Sequence, residues 1–321
     1  TRSSSVTGVQ TCALPIFYPE ASPANAPGPS HWRAQVSQPC HCCLLHPPGG
    51  LVSGDDLSLA VRLTQGAHAL LTAPSASKFY AADAHNVAQR QTTDLNVAGG
   101  MLEWLPRETI IYDGARAEMR TSVELDNASA CIGWEMVCLG RPAAGETFTT
   151  GSVRQSLCVS REGVPLLHEV LRLEGGDALQ LGACGLGGHA VSATLFAVGR
   201  GDAPGEAAKG ETKQAERDLA ALESCCTALQ DLLTPARDFD DVPANDSSAA
   251  TDTSVHAAPV PLSALMGERA GATVRGGVLL VRYLGPDMEE ARNLLITAWN
   301  MLRPALTGCP PHMPRIWYGA F

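Results

Sequence analysis

The sequence has few charged residues and no long apolar run. Charged side chains make up 17% of the 321 residues, against about 25% in a typical soluble protein. No stretch approaches the roughly 18 uninterrupted apolar residues of a membrane-spanning helix, which excludes such a helix. Lys and Arg total 23 and Asp and Glu total 33, a formal net charge of −10. Because nucleic-acid-binding proteins normally carry a basic patch, this balance argues against that class and favours a basic partner or an acidic surface that attracts cations.

The signatures of three large enzyme classes are missing. The sequence contains no GxxxxGK[ST] loop for phosphates, no HExxH for zinc and no GxSxG nucleophile elbow. The glycine-rich segment 182–189 does not fit GxGxxG and predicts a turn between strands. An enzyme with an unrecognised site could use His168 or His189 as its base, although core and turn positions account for both histidines. We therefore expect a protein without catalytic activity.

Short alternating segments dominate the chain between about residues 40 and 200. Apolar and polar residues alternate in 57–63, 119–125, 167–173 and 191–198. This period indicates a mainly β protein with two packed, antiparallel-rich sheets, as a β-sandwich or a β-roll-like fold.

Two α-helices are predicted in the C-terminal third. Apolar residues step by three and four through 219–233, a helix that is expected to stop at Pro235. The same spacing runs through 288–302, and this helix is expected to end before Pro304. Asp287 and Glu290 form a suitable helix start.

Residues 1–16 do not resemble the segment that follows them. They lack the basic and apolar regions of a signal peptide, and they are similar to a translated sequencing adapter. We expect this to be a non-native leader, followed by a single domain over 17–321. Within that domain, residues 201–211 and 236–257 are rich in small and polar residues and are predicted to be flexible connectors.

Eleven cysteines suggest a metal site, but their spacing does not favour one. Cys40, Cys42, Cys43 and His46 could together hold a structural ion, because thiolate and imidazole suit zinc or nickel. On a strand, however, Cys40 and Cys42 point to one side and Cys43 to the other. A Cys/His metal-binding module remains the alternative interpretation. Most other cysteines fit small buried hydrophobes, which favours reduced thiols and a cytoplasmic location.

Two carboxylates fall on apolar strand faces. Glu135 is the only charged residue in 130–139, and Glu169 shares its face with leucines. An unpartnered buried carboxylate would cost several kcal/mol or become protonated. Either an arginine compensates each of them, or they line a polar interior path that a cation could use, with Asp55 and Asp56 at its mouth. The arginines available for the first interpretation are Arg141, Arg154 and Arg172.

Several segments resemble one family in the family's own order. Residues 46–55, HPPGGLVSGD, are similar to the HPPGG[IL]VGGD signature of the UreD family of urease accessory proteins, called UreH in some systems. The other similar segments are TAPSASKFY at 72–80, LEWLPRE at 102–108, YDGA at 112–115, CLGRP at 138–142, LRP at 302–304 and PRIW at 314–317.

The resemblance implies a non-enzymatic scaffold that helps to load nickel into apo-urease. Such a protein binds UreF, which in turn docks the GTPase UreG, so the missing phosphate loop is consistent with it. No nucleic-acid or membrane partner is expected. The only cofactor implied is transient Ni²⁺, which passes through an interior tunnel, and none is expected to be bound permanently. By motif, the tunnel positions are Asp55, Asp56, Glu135 and Glu169, with Ser77 and Lys78 in a neighbouring motif.

Overall fold

The computed structural model describes residues 16–17, 39–202, 209–234 and 269–317. Side chains are described from residue 39 onward, except that those of 209–212 are left out. The predicted connector 236–257 lies outside these residues, as do 203–208 of the connector 201–211. Of the predicted leader, only Ile16 is described.

Fifteen strands form two sheets in this part of the chain. The ten-stranded sheet contains β1 (Ile16–Phe17), β2 (Cys40–Cys43), β4 (His68–Thr72), β5 (Ser77–Phe79), β7 (Met101–Leu105), β8 (Thr109–Ile111), β10 (Ala130–Leu139), β13 (Val191–Val198), β14 (Ala270–Arg275) and β15 (Val278–Gly285). The five-stranded sheet contains β3 (Asp56–Leu63), β6 (Gln89–Val97), β9 (Arg116–Leu125), β11 (Ser152–Arg161) and β12 (Val164–Glu174). The helices are α1 (Ala178–Leu181), α2 (Lys209–Leu233) and α3 (Met288–Thr307).

The middle of each sheet is parallel. Strands β2, β4, β7 and β10 pair in parallel in the large sheet, and β3, β6, β9 and β11 do so in the small one. The chain passes from one sheet to the other and back, which makes a β-solenoid of about four turns. Antiparallel pairing is found at the ends, where β1 joins β2, β12 joins β11, and β13, β15 and β14 follow β10.

The prediction of a mainly β protein with two sheets and two longer helices is confirmed. The prediction that the sheets are rich in antiparallel pairs is wrong for the middle strands of each sheet, which are parallel. Alternation of apolar and polar residues records which face of a strand is buried and carries no information on the direction of its neighbour. Parallel neighbours usually require a long crossover. In a solenoid, the chain returns to the start of the next parallel strand through a strand of the opposite sheet. Only short loops are therefore needed between the strands.

Two layers of core result from this arrangement. Inside the solenoid, side chains from both sheets pack together, among them Leu95, Leu102 and Val123. The other face of the large sheet is covered by α2 and α3, whose buried residues include Leu222 and Trp299. Strand β10 is buried on both faces, which explains its nearly continuous apolar sequence.

The helix boundaries extend beyond the predicted ones. Helix α2 begins at Lys209, ten residues before the first predicted position. Among the described residues, no helix has the length and the apolar sequence that crossing a membrane requires. Helix α3 begins as predicted, because Asp287 accepts hydrogen bonds from the backbone N–H groups of Glu289 and Glu290. It continues through Pro304 and ends at Thr307, and the next residue, Gly308, has a φ of 70°. Burial of Leu302 and Leu306 stabilises the final turn despite the proline.

Candidate functional site

A cavity of about 270 Å³ lies between the two sheets and is lined by successive turns of the solenoid. Loops that follow the parallel strands β2, β4 and β7 contribute His46, Ser75 and Arg107 to its wall, and Ser77 at the start of β5 adds its side chain. Deeper in the cavity, Glu135 of β10 and Gln155 of β11 face each other across the sheets. The solenoid thus brings segments that are distant in sequence to one mouth.

Glu135 is held by neutral polar groups. Gln155 Nε2 donates a hydrogen bond to Glu135 Oε2 at 2.6 Å. Burial raises the pKa of Glu135, and hydrogen bonds with Thr121 and Gln155 offset part of this rise. Glu135 is the one residue of β10 that is only partly buried. Because Glu135 lines the cavity, its accessible surface faces the interior space.

A second cavity of about 100 Å³ adjoins the first. Glu135 and Gln155 line both cavities, so this hydrogen-bonded pair lies where the two are adjacent. The remaining wall of the second cavity is formed by Glu169 with Leu157, Leu171, Ser192 and Thr194. The two carboxylates that strand alternation singled out, Glu135 and Glu169, therefore line the same small cavity.

Glu169 forms an ion pair with Arg282 of β15. Its side chain is 30% exposed and that of Arg282 is 54% exposed, so the pair lies near the surface. An arginine does compensate the charge of Glu169, as the first interpretation predicted. It is not one of the three arginines proposed from the sequence. That interpretation is wrong for Glu135, whose described partners are an amide and a hydroxyl.

The three proposed arginines are placed elsewhere. Arg141 pairs with Glu146 at the surface. Arg154 and Arg172 are opposite each other on β11 and β12 and are exposed on the outer face of the small sheet. Alternation along β11 already separates Arg154 from the inward-facing Gln155.

Asp55 and Asp56 do not line either cavity. Asp55 Oδ2 accepts a hydrogen bond from the backbone N–H of Val52 at 2.9 Å, which closes its own turn. Burial lowers the pKa of His46, and the charge of Asp55 acts in the opposite direction, so the two side chains lie near each other. Asp56 is exposed on β3, while the next residue, Leu57, faces the cavity.

The two residues of the neighbouring motif also separate. Ser77 lines the large cavity, and its hydroxyl donates a hydrogen bond to Gln91 Oε1 at 3.3 Å. Lys78, the next residue on β5, is not part of the cavity wall.

The cysteine cluster does not form a metal site in the described residues. The sulfur atoms of Cys40 and Cys42 are 3.6 Å apart on one face of β2, whereas His41 and Cys43 are buried on the other. Burial and the neighbouring Cys40 raise the pKa of Cys42 to about 12, which keeps its thiol protonated. No group of three or more His, Cys, Asp or Glu side chains that could hold a metal ion occurs in the described part of the chain.

The histidines considered as catalytic bases are not in the cavities. His168 is exposed on the outer face of β12, and His189 ends the glycine-rich segment. That segment forms turns, as predicted, but these join the short helix α1 to β13 rather than two strands.

A buried charged cluster was missed by the sequence analysis. Glu103 is fully buried on β7 and contacts His68, Trp299 and Arg303. Burial disfavours its ionisation, but Arg303, His68 and Trp299 outweigh that effect and hold the pKa of Glu103 at about 2. The signal was present, because Glu103 interrupts an apolar strand in the same way as Glu135.

Comparison with known proteins decides the family. The family model described as UreD urease accessory protein matches residues 20–318. The chain belongs to the UreD family. Urease accessory protein UreD of Chromohalobacter salexigens is 36% identical over 302 residues, which cover 94% of this chain and 78% of that protein. Those of Marinobacter nauticus and Alkalilimnicola ehrlichii are each 39% identical, over 87% of this chain and 77% and 78% of their own lengths.

The general role of the chain follows from its membership in the UreD family. UreD proteins are non-catalytic accessory proteins of urease maturation and take part in assembly of the nickel centre. The expectation of a protein without catalytic activity and the resemblance on which the role rested are both confirmed.

Proposed function

We propose that this UreD protein passes Ni²⁺ through its interior, with Glu135 and Glu169 as successive stations, toward the active site of apo-urease. The observation that carries the proposal is that Glu135 lines both interior cavities, the first together with His46 and the second together with Glu169. The ion is cargo rather than a resident cofactor, and no permanently bound cofactor is part of the proposal.

The oxygen donors along these cavities suit transient binding. Only a few protein oxygens are available at each station, among them Glu135 with Gln155 and Glu169 with Ser192 and Thr194. Water would complete the coordination of the ion at each station. Weak sites in series let an ion enter and leave, as in conduction pores, whereas a closed set of thiolate or imidazole ligands would retain it.

The raised pKa of Glu135 also favours release. A carboxyl group that is costly to ionise in the empty protein binds a proton in place of the departing cation. Glu135 therefore does not remain as an uncompensated buried charge after the ion has moved on.

The remaining motif residues are divided between the mouth of the large cavity and the outer surface. Ser77 contributes its hydroxyl within the large cavity, and Asp55 lies beside His46 at the rim. Asp56 and Lys78 do not line the cavities and are assigned to the outer surface, where a partner protein could contact them. We propose UreF as that direct partner, with UreG bound through UreF and apo-urease as the recipient; nucleic acid and membranes are not partners.

A cytoplasmic location is part of the proposal. The ten cysteines of the described residues are free thiols, which suits a reducing compartment.

The test is nickel transfer in a reconstituted urease activation system. Glu135→Gln and Glu169→Gln, made separately, are expected to lower the nickel content and activity of urease several-fold while co-purification with UreF persists. Glu118→Gln is the matched control, because Glu118 pairs with Arg90 and both side chains are about half exposed. Unchanged nickel content of urease with both interior variants would overturn the proposed path.

A further inference from the structure

A row of polar side chains crosses the large sheet from the interior toward its edge. Glu135 is opposite Thr194 on β13, and Thr194 is opposite Arg282 on β15. The inward-facing neighbours of Arg282 on β15, Leu280 and Leu284, pack in the interior apolar clusters. Arg282 is the only charged residue of β15, so a positive charge ends this row.

The guanidinium of Arg282 reaches across to the small sheet. Its Nη2 donates to Glu169 Oε1 of β12. Glu169 lines the second cavity and Arg282 does not. Since Arg282 is also the more exposed partner, it lies on the solvent side of Glu169, at the outer end of the proposed path.

We infer that Arg282 is the resident counter-ion of Glu169 and competes with the cargo cation for that carboxylate. This inference rests on the proposed nickel path. The guanidinium occupies an oxygen that a metal ion would use, and its charge repels a divalent cation at short range. Arg282 therefore keeps Glu169 a weak site and limits capture of other ions from solvent.

The partial exposure of the pair suits this role. An ion pair that is open to water is easily broken, because both partners recover their hydration when they separate. Arg282 can therefore move aside when a cation arrives from Glu135 and return when it leaves. A buried pair would hold Glu169 too firmly for the carboxylate to act as a station.

The competition is tested by binding of Ni²⁺ alone to the purified chain in equilibrium dialysis. Arg282→Gln is expected to tighten Ni²⁺ binding about tenfold, because the competing charge is removed. Arg282→Lys keeps the charge and is expected to bind Ni²⁺ nearly as the unmodified chain does. The double variant Arg282→Gln/Glu169→Gln is expected to lose the gain entirely. Thermal unfolding of each variant shows whether its fold is intact.

The outcomes separate the two proposals. Unchanged Ni²⁺ binding in Arg282→Gln, together with weaker binding in Glu135→Gln and Glu169→Gln, would overturn the role of Arg282 and leave the path standing. Tighter Ni²⁺ binding in Arg282→Gln that persists in the double variant would also overturn the role of Arg282. The tighter binding would then come from the change in net charge and not from the Glu169 carboxylate. If Arg282→Gln, Glu135→Gln and Glu169→Gln all leave Ni²⁺ binding unchanged, both the path and the competition are wrong.

Discussion

Glu103 and Arg303, 200 residues apart in the chain, form an ion pair in which both side chains are completely buried. Arg303 Nε is 3.0 Å from Oε1 and 3.1 Å from Oε2 of Glu103. The pair joins β7 of the solenoid to helix α3. Two of the recognised motifs, LEWLPRE and LRP, thus meet in space and supply one charge each.

Breaking this pair is expected to destabilise the protein strongly. Arg303→Met or Glu103→Gln should each lower the free energy of unfolding by about 3–5 kcal/mol, because each leaves the other member of the pair as a buried charge without its counter-ion. The double variant should cost less than the sum of the two. Urea denaturation measures all three, with Arg90→Met as a control that breaks an exposed pair and should cost at most about 1 kcal/mol. Small, additive effects would contradict the assignment.

Acid should destabilise the protein through Glu103. Its pKa is lowered from 4.5 to about 2 in the folded chain, so the stabilisation is present above the ordinary pKa. It is lost as the pH falls from about 4.5 toward about 2. Urea denaturation across that range should show a steep loss of stability that is reduced in Glu103→Gln. Identical slopes in both proteins would show that other carboxylates are responsible.

Glu135 should act in the opposite direction. Its pKa is raised by burial, so the folded chain binds the proton more tightly than the unfolded chain does. The stabilising contribution is present at low pH and is lost as the pH rises through the folded pKa. Glu135→Gln is therefore expected to raise the melting temperature more at pH 8 than at pH 4, measured by circular dichroism. An equal change at both values would place Glu135 in contact with bulk water.

Close packing between neighbouring strands makes Gly133 difficult to replace. A Cβ atom at Gly133 of β10 would lie 2.3 Å from the ring of Phe196 on β13, and that ring is completely buried. Gly133→Ala is expected to lower the free energy of unfolding by about 1–3 kcal/mol through overpacking. Gly271→Ala on β14 is the matched control, since nothing lies within 4 Å of the added Cβ. Equal stability of both variants would show that the Phe196 ring moves freely.

Alkylation should distinguish the cysteines. Cys184 is exposed, whereas the Cys42 thiol, with a pKa of about 12, supplies almost no thiolate at neutral pH. Iodoacetamide followed by mass spectrometry should modify Cys184 well before Cys42. Faster reaction at Cys42 would support a reactive thiol pair with Cys40 and revive the metal-binding alternative.

Strand alternation predicted many of the strands and their buried faces because it is a local property. Which residues face inward follows from a period of two along each strand, and this placed Glu135 and Glu169 inside. The same period already put Asp56 and Leu57 on opposite faces. It could not predict parallel pairing, because the alternation of apolar and polar residues is the same whether the neighbouring strand is parallel or antiparallel.

The sequence by itself determined the family, the β-rich character, the two long helices and the unusual carboxylates of the interior. Only the tertiary structure decided which groups meet those carboxylates. Gln155 reaches Glu135 from the other sheet, and Arg282 reaches Glu169 across 113 positions of the chain. Such partners depend on the register and spacing of two sheets, which are set by the packing of the whole solenoid rather than by any local pattern.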